Sequence, residues 1–148
     1  MATVVSIHRV ETKNGPAAPL AEATVLDDFG IEGDWRSRKG KSRQLTLISE
    51  EGLQEVARLL GMAAVPPGAS RRQVVVRGID LNAAVGTRLS VGPLLVQVRD
   101  FCHPCENMDK TIGKGAKLAM EMRGGVCCQV IQGGVLRPGD PVSPDQNL

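Results

Sequence analysis

The segment that decides the fold runs from Arg88 to Asp100 and reads RLSVGPLLVQVRD. It contains two short runs of apolar and β-branched residues, Arg88–Val91 and Leu94–Asp100. Gly92-Pro93 separates them, and this pair of residue types interrupts regular structure and favours a turn. The pattern therefore predicts two consecutive β-strands.

Similar runs lie on both sides of this segment. In Arg43–Ser49 (RQLTLIS) apolar residues alternate with polar ones, which is typical of a half-buried strand. The chain contains 17 glycines and 9 prolines, and these turn residues recur at short intervals. Several short strands at such spacing favour a barrel or a sandwich over alternating β–α units. The other predicted strands are Thr3–Val10, Gln73–Arg77 and Val126–Ile131.

Two short helices are predicted beside these strands. The first follows Ser49, a candidate N-cap, places apolar residues at helical spacing, and stops at Gly61. The second covers Ala116–Arg123. The length of 148 residues fits one domain, residues 1–148. We expect its ordered core at about 4–142 and a frayed tail at 143–148, because prolines recur near the end.

Composition excludes several classes of function. Lys plus Arg total 18 and Asp plus Glu total 16, so a net charge of +2 argues against a dedicated nucleic-acid-binding protein. Aromatic residues make up 2% of the chain, too few to build a stacking platform for single strands. No run of about 18 apolar residues predicts a membrane span. The first ten residues do not resemble a secretory signal, and we expect a cytoplasmic protein.

The most informative local motif is Cys102-His103-Pro104-Cys105, which follows an apolar strand. Three interpretations of its cysteines compete. The pair could be a redox dithiol, it could bind zinc together with Cys127 and Cys128, or one thiolate on the loop could ligate a soft metal or carry sulfur. Adjacent strand residues point to opposite faces, which disfavours the zinc site. Cys127 and Cys128 are more simply explained as small buried hydrophobic residues.

Two glycine-containing loops carry clustered cations. The first has five Lys or Arg residues between Arg36 and Arg43, and the second contains Arg71-Arg72 and leads to Arg77. Arginines bind phosphate or carboxylate groups in a bidentate manner, so two such loops would suit an anionic, phosphate-bearing cofactor. The alternative is a solvated basic surface. Neither loop matches a phosphate-binding glycine fingerprint.

Taken together, these segments resemble motifs of the MOSC domain family, which occurs at the C-terminus of molybdenum cofactor sulfurases and as stand-alone bacterial proteins. The similarity covers roughly Val4 to Val142 and depends on the order and spacing of the motifs. The matching segments are Gly30–Asp34 (GIEGD), Arg43–Ile48 (RQLTLI), Arg71–Val76 (RRQVVV), Gly78–Asn82 (GIDLN), Cys102–Cys105, Arg123–Cys127 (RGGVC) and Gly139–Val142 (GDPV).

The resemblance implies a mainly β fold: a closed or partly open β-barrel, similar to the pyruvate-kinase-like barrel, with two or three short helices. It also implies a molybdopterin-type cofactor. Cys105 aligns with the characteristic cysteine of the family, as molybdenum ligand or persulfide carrier, and Cys102 is a second catalytic candidate, a resolving thiol. The expected cofactor-binding residues are Asp34, Arg43, Gln44, Arg71, Arg72, Gln73 and Asn82.

The function implied is molybdenum cofactor binding or the carriage of activated sulfur, with reduction of N-hydroxylated compounds as the enzymatic form. Expected partners are a small-molecule cofactor and substrate, and a sulfur-donor or electron-donor protein, with no nucleic acid and no membrane. No pyridoxal phosphate is expected, because the desulfurase domain of the sulfurases is not in this sequence. Two alternatives remain open: a non-catalytic module for an anionic ligand or partner, and a thiol–disulfide exchange protein using Cys102 and Cys105.

Overall fold

A computed structural model describes residues 1–104 and 107–145, and in these ranges the fold is mainly β with three helices. The helices are α1 (Glu50–Leu60), α2 (Asn107–Thr111) and α3 (Ala116–Ala119), and a 3-10 turn covers Asn82–Ala84. The strands are β1 (Thr3–Arg9), β2 (Ala18–Leu20), β3 (Ala23–Leu26), β4 (Gly30–Ile31), β5 (Leu45–Ser49), β6 (Val74–Arg77), β7 (Arg88–Val91), β8 (Leu94–Phe101), β9 (Val126–Gln132), β10 (Gly134–Leu136) and β11 (Val142–Pro144).

Eight strands form the main sheet in the order β11-β7-β8-β9-β5-β6-β1-β2. Its neighbours are antiparallel except β5 and β6, which are parallel and are connected through α1. A parallel pair needs a long crossover, and a helix is the usual one. The remaining strands form a small sheet in the order β10-β3-β4.

The two ends of the main sheet approach each other without forming a paired seam. Thr3 makes an isolated antiparallel bridge with Pro141. Val4 N–H donates to the Asp140 carbonyl at 2.8 Å, and Gly139 N–H donates to the Val4 carbonyl at 2.7 Å. Among the described residues the sheets are not closed into a barrel. The predicted mainly β fold with short helices is confirmed, and a partly open β-sheet fold is consistent with the structure, whereas the predicted barrel is not confirmed.

The main sheet separates two hydrophobic clusters. Leu45 and Leu47 of β5 point into the larger cluster, together with Cys128 of β9. Ile48 and Val75 point to the other face, where they pack under α1 and α3. The strand period of two residues therefore assigns alternate side chains to a sheet core and a helix layer.

Helix α1 begins and ends as its sequence predicts. Ser49 is the N-cap, and its hydroxyl accepts a hydrogen bond from Gly52 N–H at 3.1 Å. Gly61 follows the last turn with φ of 68°, a left-handed conformation that glycine adopts without strain. Helix α3 is shorter than predicted and ends at Ala119, because Met122 has a φ of 62° and the chain turns there.

The C-terminal strand extends past the predicted end of the core. Ser143 and Pro144 pair with β7 in β11, and Pro144 is tolerated because β11 lies at the edge of the sheet. Residues 146–148 of the predicted tail lie outside the described residues. In the described ranges, no helix has the length and apolar character that crossing a bilayer requires.

Candidate functional site

Two thiols meet where the end of β8 lies beside the start of β9. The Sγ atoms of Cys102 and Cys127 lie 2.6 Å apart. Phe101 pairs with Val126, and the next residue, Cys102, donates its N–H to the Gly125 carbonyl at 2.8 Å. Cys127 is therefore a diagonal neighbour of Cys102. Gly125, which lies directly opposite Cys102, has no side chain to occupy the space beside the Cys102 thiol.

A buried arginine connects the two chain segments that carry these thiols. Arg72 is 4% exposed. Its Nε donates to the Gly124 carbonyl at 2.7 Å, and its Nη2 donates to the His103 carbonyl at 3.4 Å. Because one guanidinium binds both segments, Arg72 holds the backbone around Cys102 against the turn that precedes β9.

The two thiols have opposite electrostatic behaviour. The hydrogen bond from Cys102 lowers the pKa of Cys127 against the effect of its burial, and the positive charges of Arg43 and Arg72 lower it further. The same hydrogen bond, together with burial, raises the pKa of Cys102. The pair therefore loses its first proton more readily than an ordinary thiol does, and the anion resides mainly on Cys127. Burial, with a further contribution from the neighbouring charge of Cys127, raises the pKa of Cys128.

A cationic pocket of about 440 Å³ is formed by the loop that leads into β5. The indole N–H of Trp35, which lines it, is buried and has no hydrogen-bond partner within residues 1–104 and 107–145. Arg43 lines the pocket and also acts on the two thiols, so it connects the two features. The lining residues are Trp35, Arg36, Arg38, Lys41, Ser42 and Arg43.

Asp34 orients one wall of this pocket. Its buried carboxylate accepts hydrogen bonds from Arg36 Nε and Nη2, both at 2.9 Å, and from Val10 N–H at 3.1 Å. Burial opposes its ionisation, but the bonds from Arg36 and from backbone N–H groups outweigh burial and hold the pKa of Asp34 below its usual value. Asp34 thus acts on the pocket through Arg36.

The two glutamines among the predicted residues are buried and bonded within the fold. The Gln44 amide donates to Asp28 Oδ1 at 2.9 Å and to the Arg38 carbonyl at 3.0 Å, so it fixes the loop that carries the cations. The Gln73 Oε1 accepts from Thr46 N–H at 2.9 Å. Its Nε2 has no partner in the part of the chain that the structure describes.

Two further predicted residues lie elsewhere. Arg71 Nη1 donates to the Gly15 carbonyl at 2.7 Å, and its side chain lines a different pocket. Its own carbonyl accepts from Arg36 Nη1 at 2.6 Å, which is its connection to the cationic pocket. Asn82 donates to the Met122 carbonyl at 2.9 Å beside a small pocket of about 120 Å³. The structure therefore brings Arg43, Arg72 and Cys102 together, and Arg71 and Asn82 line other pockets.

Cys105 and the residue after it lie outside the described residues, so its roles as catalytic thiol and molybdenum ligand stay predictions. Cys127 and Cys128 point to opposite faces of β9, as the strand period requires. Within residues 1–104 and 107–145 no group of three or more His, Cys, Asp or Glu side chains could hold a metal ion.

Sequence reasoning missed two participants. Cys127 was explained as a small buried hydrophobic residue or as one ligand of a zinc site, and Trp35 was not among the expected cofactor-binding residues. Cys127 could have been found by aligning the predicted strands Leu94–Asp100 and Val126–Ile131 as an antiparallel pair. Trp35 carries no comparable signal, because its position depends on the folded loop.

Comparisons with known proteins agree on the fold. A family model described as "MOSC domain" matches residues 34–143. The YuaD protein from Bacillus subtilis is similar in structure, with a TM-score of 0.80, 19% identity, and coverage of 96% of this chain and 94% of that one. YiiM from Geobacillus stearothermophilus has a TM-score of 0.78 at 19% identity, covering 99% and 76%. YiiM from Escherichia coli has a TM-score of 0.70 at 21% identity, covering 100% and 71%. No curated protein matches the chain by sequence.

Proposed function

The chain belongs to the MOSC domain family, and we propose on that premise that its cationic pocket holds the anionic end of a molybdopterin-type cofactor. The observation that carries the proposal is the joint position of Arg43. This residue lines the pocket and also acts electrostatically on the thiol pair of Cys102 and Cys127. An anion bound there would share the charge of Arg43 with the chain segments that carry the cysteines, and an anionic cofactor with a soft metal requires both cations and a thiolate.

The residues present fit such a group. Four cationic side chains line the pocket, and arginine guanidinium groups match phosphate oxygens in a bidentate geometry. The volume of about 440 Å³ is in the range of small-molecule sites. The unpartnered N–H of Trp35 is a donor that a ligand oxygen or ring nitrogen would satisfy.

Each residue has a definite task in this proposal. Arg38, Lys41 and Arg43 are exposed cations that attract and bind the phosphate. Asp34 holds Arg36 in place, since an oriented guanidinium loses less conformational entropy on binding. Cys105 is the proposed thiolate ligand. The cofactor, when bound, would supply the two-electron exchange that reduces an N-hydroxylated compound, and an electron-donor protein of the cytoplasm would supply the electrons.

Carriage of activated sulfur is the other form of the family chemistry, and it uses the same thiol of Cys105. A persulfide on this residue would add roughly 32 Da to its peptide, whereas cofactor binding would retain molybdenum and pterin. One preparation can therefore distinguish the two forms.

The test is to produce the full chain in a molybdate-supplied host, purify it without oxygen, and measure molybdenum and pterin per chain. We expect both to co-purify and the double variant Arg38→Ala/Lys41→Ala to lose most of them. The control is Arg137→Ala, which removes an exposed arginine whose partner is Glu22. Equal retention in all three proteins would contradict binding at this pocket. The absence of molybdenum, pterin and persulfide from the wild-type chain would contradict the proposed function.

A further inference from the structure

The pairing of Cys102 with Cys127 is independent of Cys105 and of any cofactor. Their sulfur atoms lie 2.6 Å apart, and Arg72 binds both segments that carry them. We propose that Cys102 and Cys127 form a two-electron dithiol site that reduces hydrogen peroxide, with Cys127 as the attacking thiol and Cys102 as the resolving thiol. The sequence favoured a different partner for Cys102, so this site goes beyond the proposed function.

Exposure indicates which oxidant the site would accept. Cys127 is 8% exposed and Cys102 is 3% exposed, so the narrow access suits a molecule of about the size of water better than a bulky disulfide. Cys127, the more exposed residue of the two, is also the one whose thiolate Cys102 and the two arginines stabilise. A stabilised thiolate with some access, placed next to a second thiol, is the arrangement that reversible thiol oxidation requires.

The charged groups that act on Cys127 come from three segments of the fold. Arg43 precedes β5, Arg72 precedes β6, and Asp100 stands opposite Cys127 on β8. Asp100 disfavours the thiolate and the two cations favour it. The guanidinium groups of Arg43 and Arg72 therefore make the surroundings of Cys127 electropositive, and the carboxylate of Asp100 weakens this stabilisation of the thiolate.

The reaction balances with one peroxide per dithiol. The Cys127 thiolate attacks one oxygen of hydrogen peroxide, the O–O bond breaks, and hydroxide leaves while a sulfenic acid forms on Cys127. The Cys102 thiol then attacks this sulfur, the S–O bond breaks, and a water molecule leaves with the thiol proton. Two thiols lose two electrons, and both oxygen atoms of the peroxide end as water.

The experiment treats the reduced, cofactor-free full chain with one equivalent of hydrogen peroxide, denatures it, and blocks the remaining thiols with N-ethylmaleimide. The chain has four cysteines, and we expect two labels after oxidation and four without it. Trypsin should release a cross-linked pair of peptides, residues 100–110 joined to residues 124–148, because it does not cleave between Arg137 and Pro138. Fragmentation should place the bond between Cys102 and Cys127. A bond between Cys102 and Cys105, or four remaining labels, would overturn the proposal.

Three serine variants test the roles of the individual thiols. Cys105→Ser should keep the cross-link, and because it leaves a single cysteine in residues 100–110 it also simplifies the assignment. Cys102→Ser should stop at a sulfenic acid on Cys127, which dimedone traps. Cys127→Ser should slow the oxidation of Cys102 by about tenfold, because the anion-bearing sulfur is gone. Unchanged oxidation of Cys102 in folded Cys127→Ser would refute the assigned order of attack. Cross-link mapping on the wild-type chain tests the central claim, so the proposal can be refuted even if a variant misfolds.

Discussion

Gly124→Ala tests whether backbone packing positions the thiol pair. A Cβ added at Gly124 would stand well within 3.0 Å of the Cys102 carbonyl oxygen, closer than real Cβ atoms approach. The oxygen cannot retreat easily, because Cys102 N–H is bonded to Gly125 at 2.8 Å and Arg72 is bonded to Gly124 at 2.7 Å. Overpacking of this kind costs roughly 1–3 kcal/mol. We therefore expect the free energy of unfolding to fall by about 2 kcal/mol, measured by urea denaturation.

Separation of the two segments should also reduce the yield of the cross-link between Cys102 and Cys127 in the folded variant. The matched control is Gly52→Ala, since the added Cβ there meets nothing closer than 3.7 Å. Gly52 lies in α1, where alanine is favoured over glycine by roughly 0.8–1 kcal/mol, so this variant should gain stability. A Gly124→Ala protein as stable as wild type, with an undiminished cross-link, would refute the argument from packing.

Two further predictions concern ionisation. Asp34→Asn leaves the guanidinium of Arg36 without its carboxylate and should lower stability at pH 7 by roughly 3–5 kcal/mol. Because the folded pKa of Asp34 is depressed, its stabilisation is present above the unfolded pKa of about 3.9 and is lost as pH falls through the folded value. Urea unfolding at pH 7 and at pH 3 should therefore show a smaller difference from wild type at the lower pH, and an equal difference at both would contradict this. For Cys127, we expect alkylation to continue below the pH at which an ordinary thiol, with a pKa of about 8.5, loses reactivity. Arg43→Met should slow the reaction at pH 7 by a factor of about two to five, the range of exposed charge pairs, and added salt should abolish the difference.

The fold follows from local patterns to a large extent. The alternation in Arg43–Ser49 and the apolar run Leu94–Asp100 both became strands, and the cap at Ser49 and the stop at Gly61 formed as expected. The short strands β2, β3 and β4 were not predicted, because two to four residues carry no measurable periodicity. Such short strands form because they pair with neighbouring strands, and not because their own sequence favours a strand.

The candidate site was harder to predict, since it depends on register. Cys102 and Cys127 are 25 positions apart, and their contact requires the pairing of Phe101 with Val126. It also depends on an irregularity between Val98 and Asp100 that shifts the pairing within β8. A one-residue slip would turn Cys127 to the opposite face. No single motif contains that information. The C-x-x-C spacing indicates only Cys105 as a partner of Cys102, and Cys105 lies outside the described residues.

Net charge was a poor guide to the electrostatics of this protein. A balance of +2 over 148 residues describes an almost neutral chain, yet five cations lie between Arg36 and Arg43. Folding concentrates four of them around one pocket, and Asp34 compensates only Arg36 from inside the protein. Salt screens the effect of exposed charges that lie farther than about 10 Å from a site. The electrostatic potential at the pocket and at Cys127 therefore depends on these local cations and not on the net charge of the chain. Arg43 lines the pocket and also lowers the pKa of Cys127, and for that reason the proposed anion binding and the proposed thiol reactivity should both depend on this one residue.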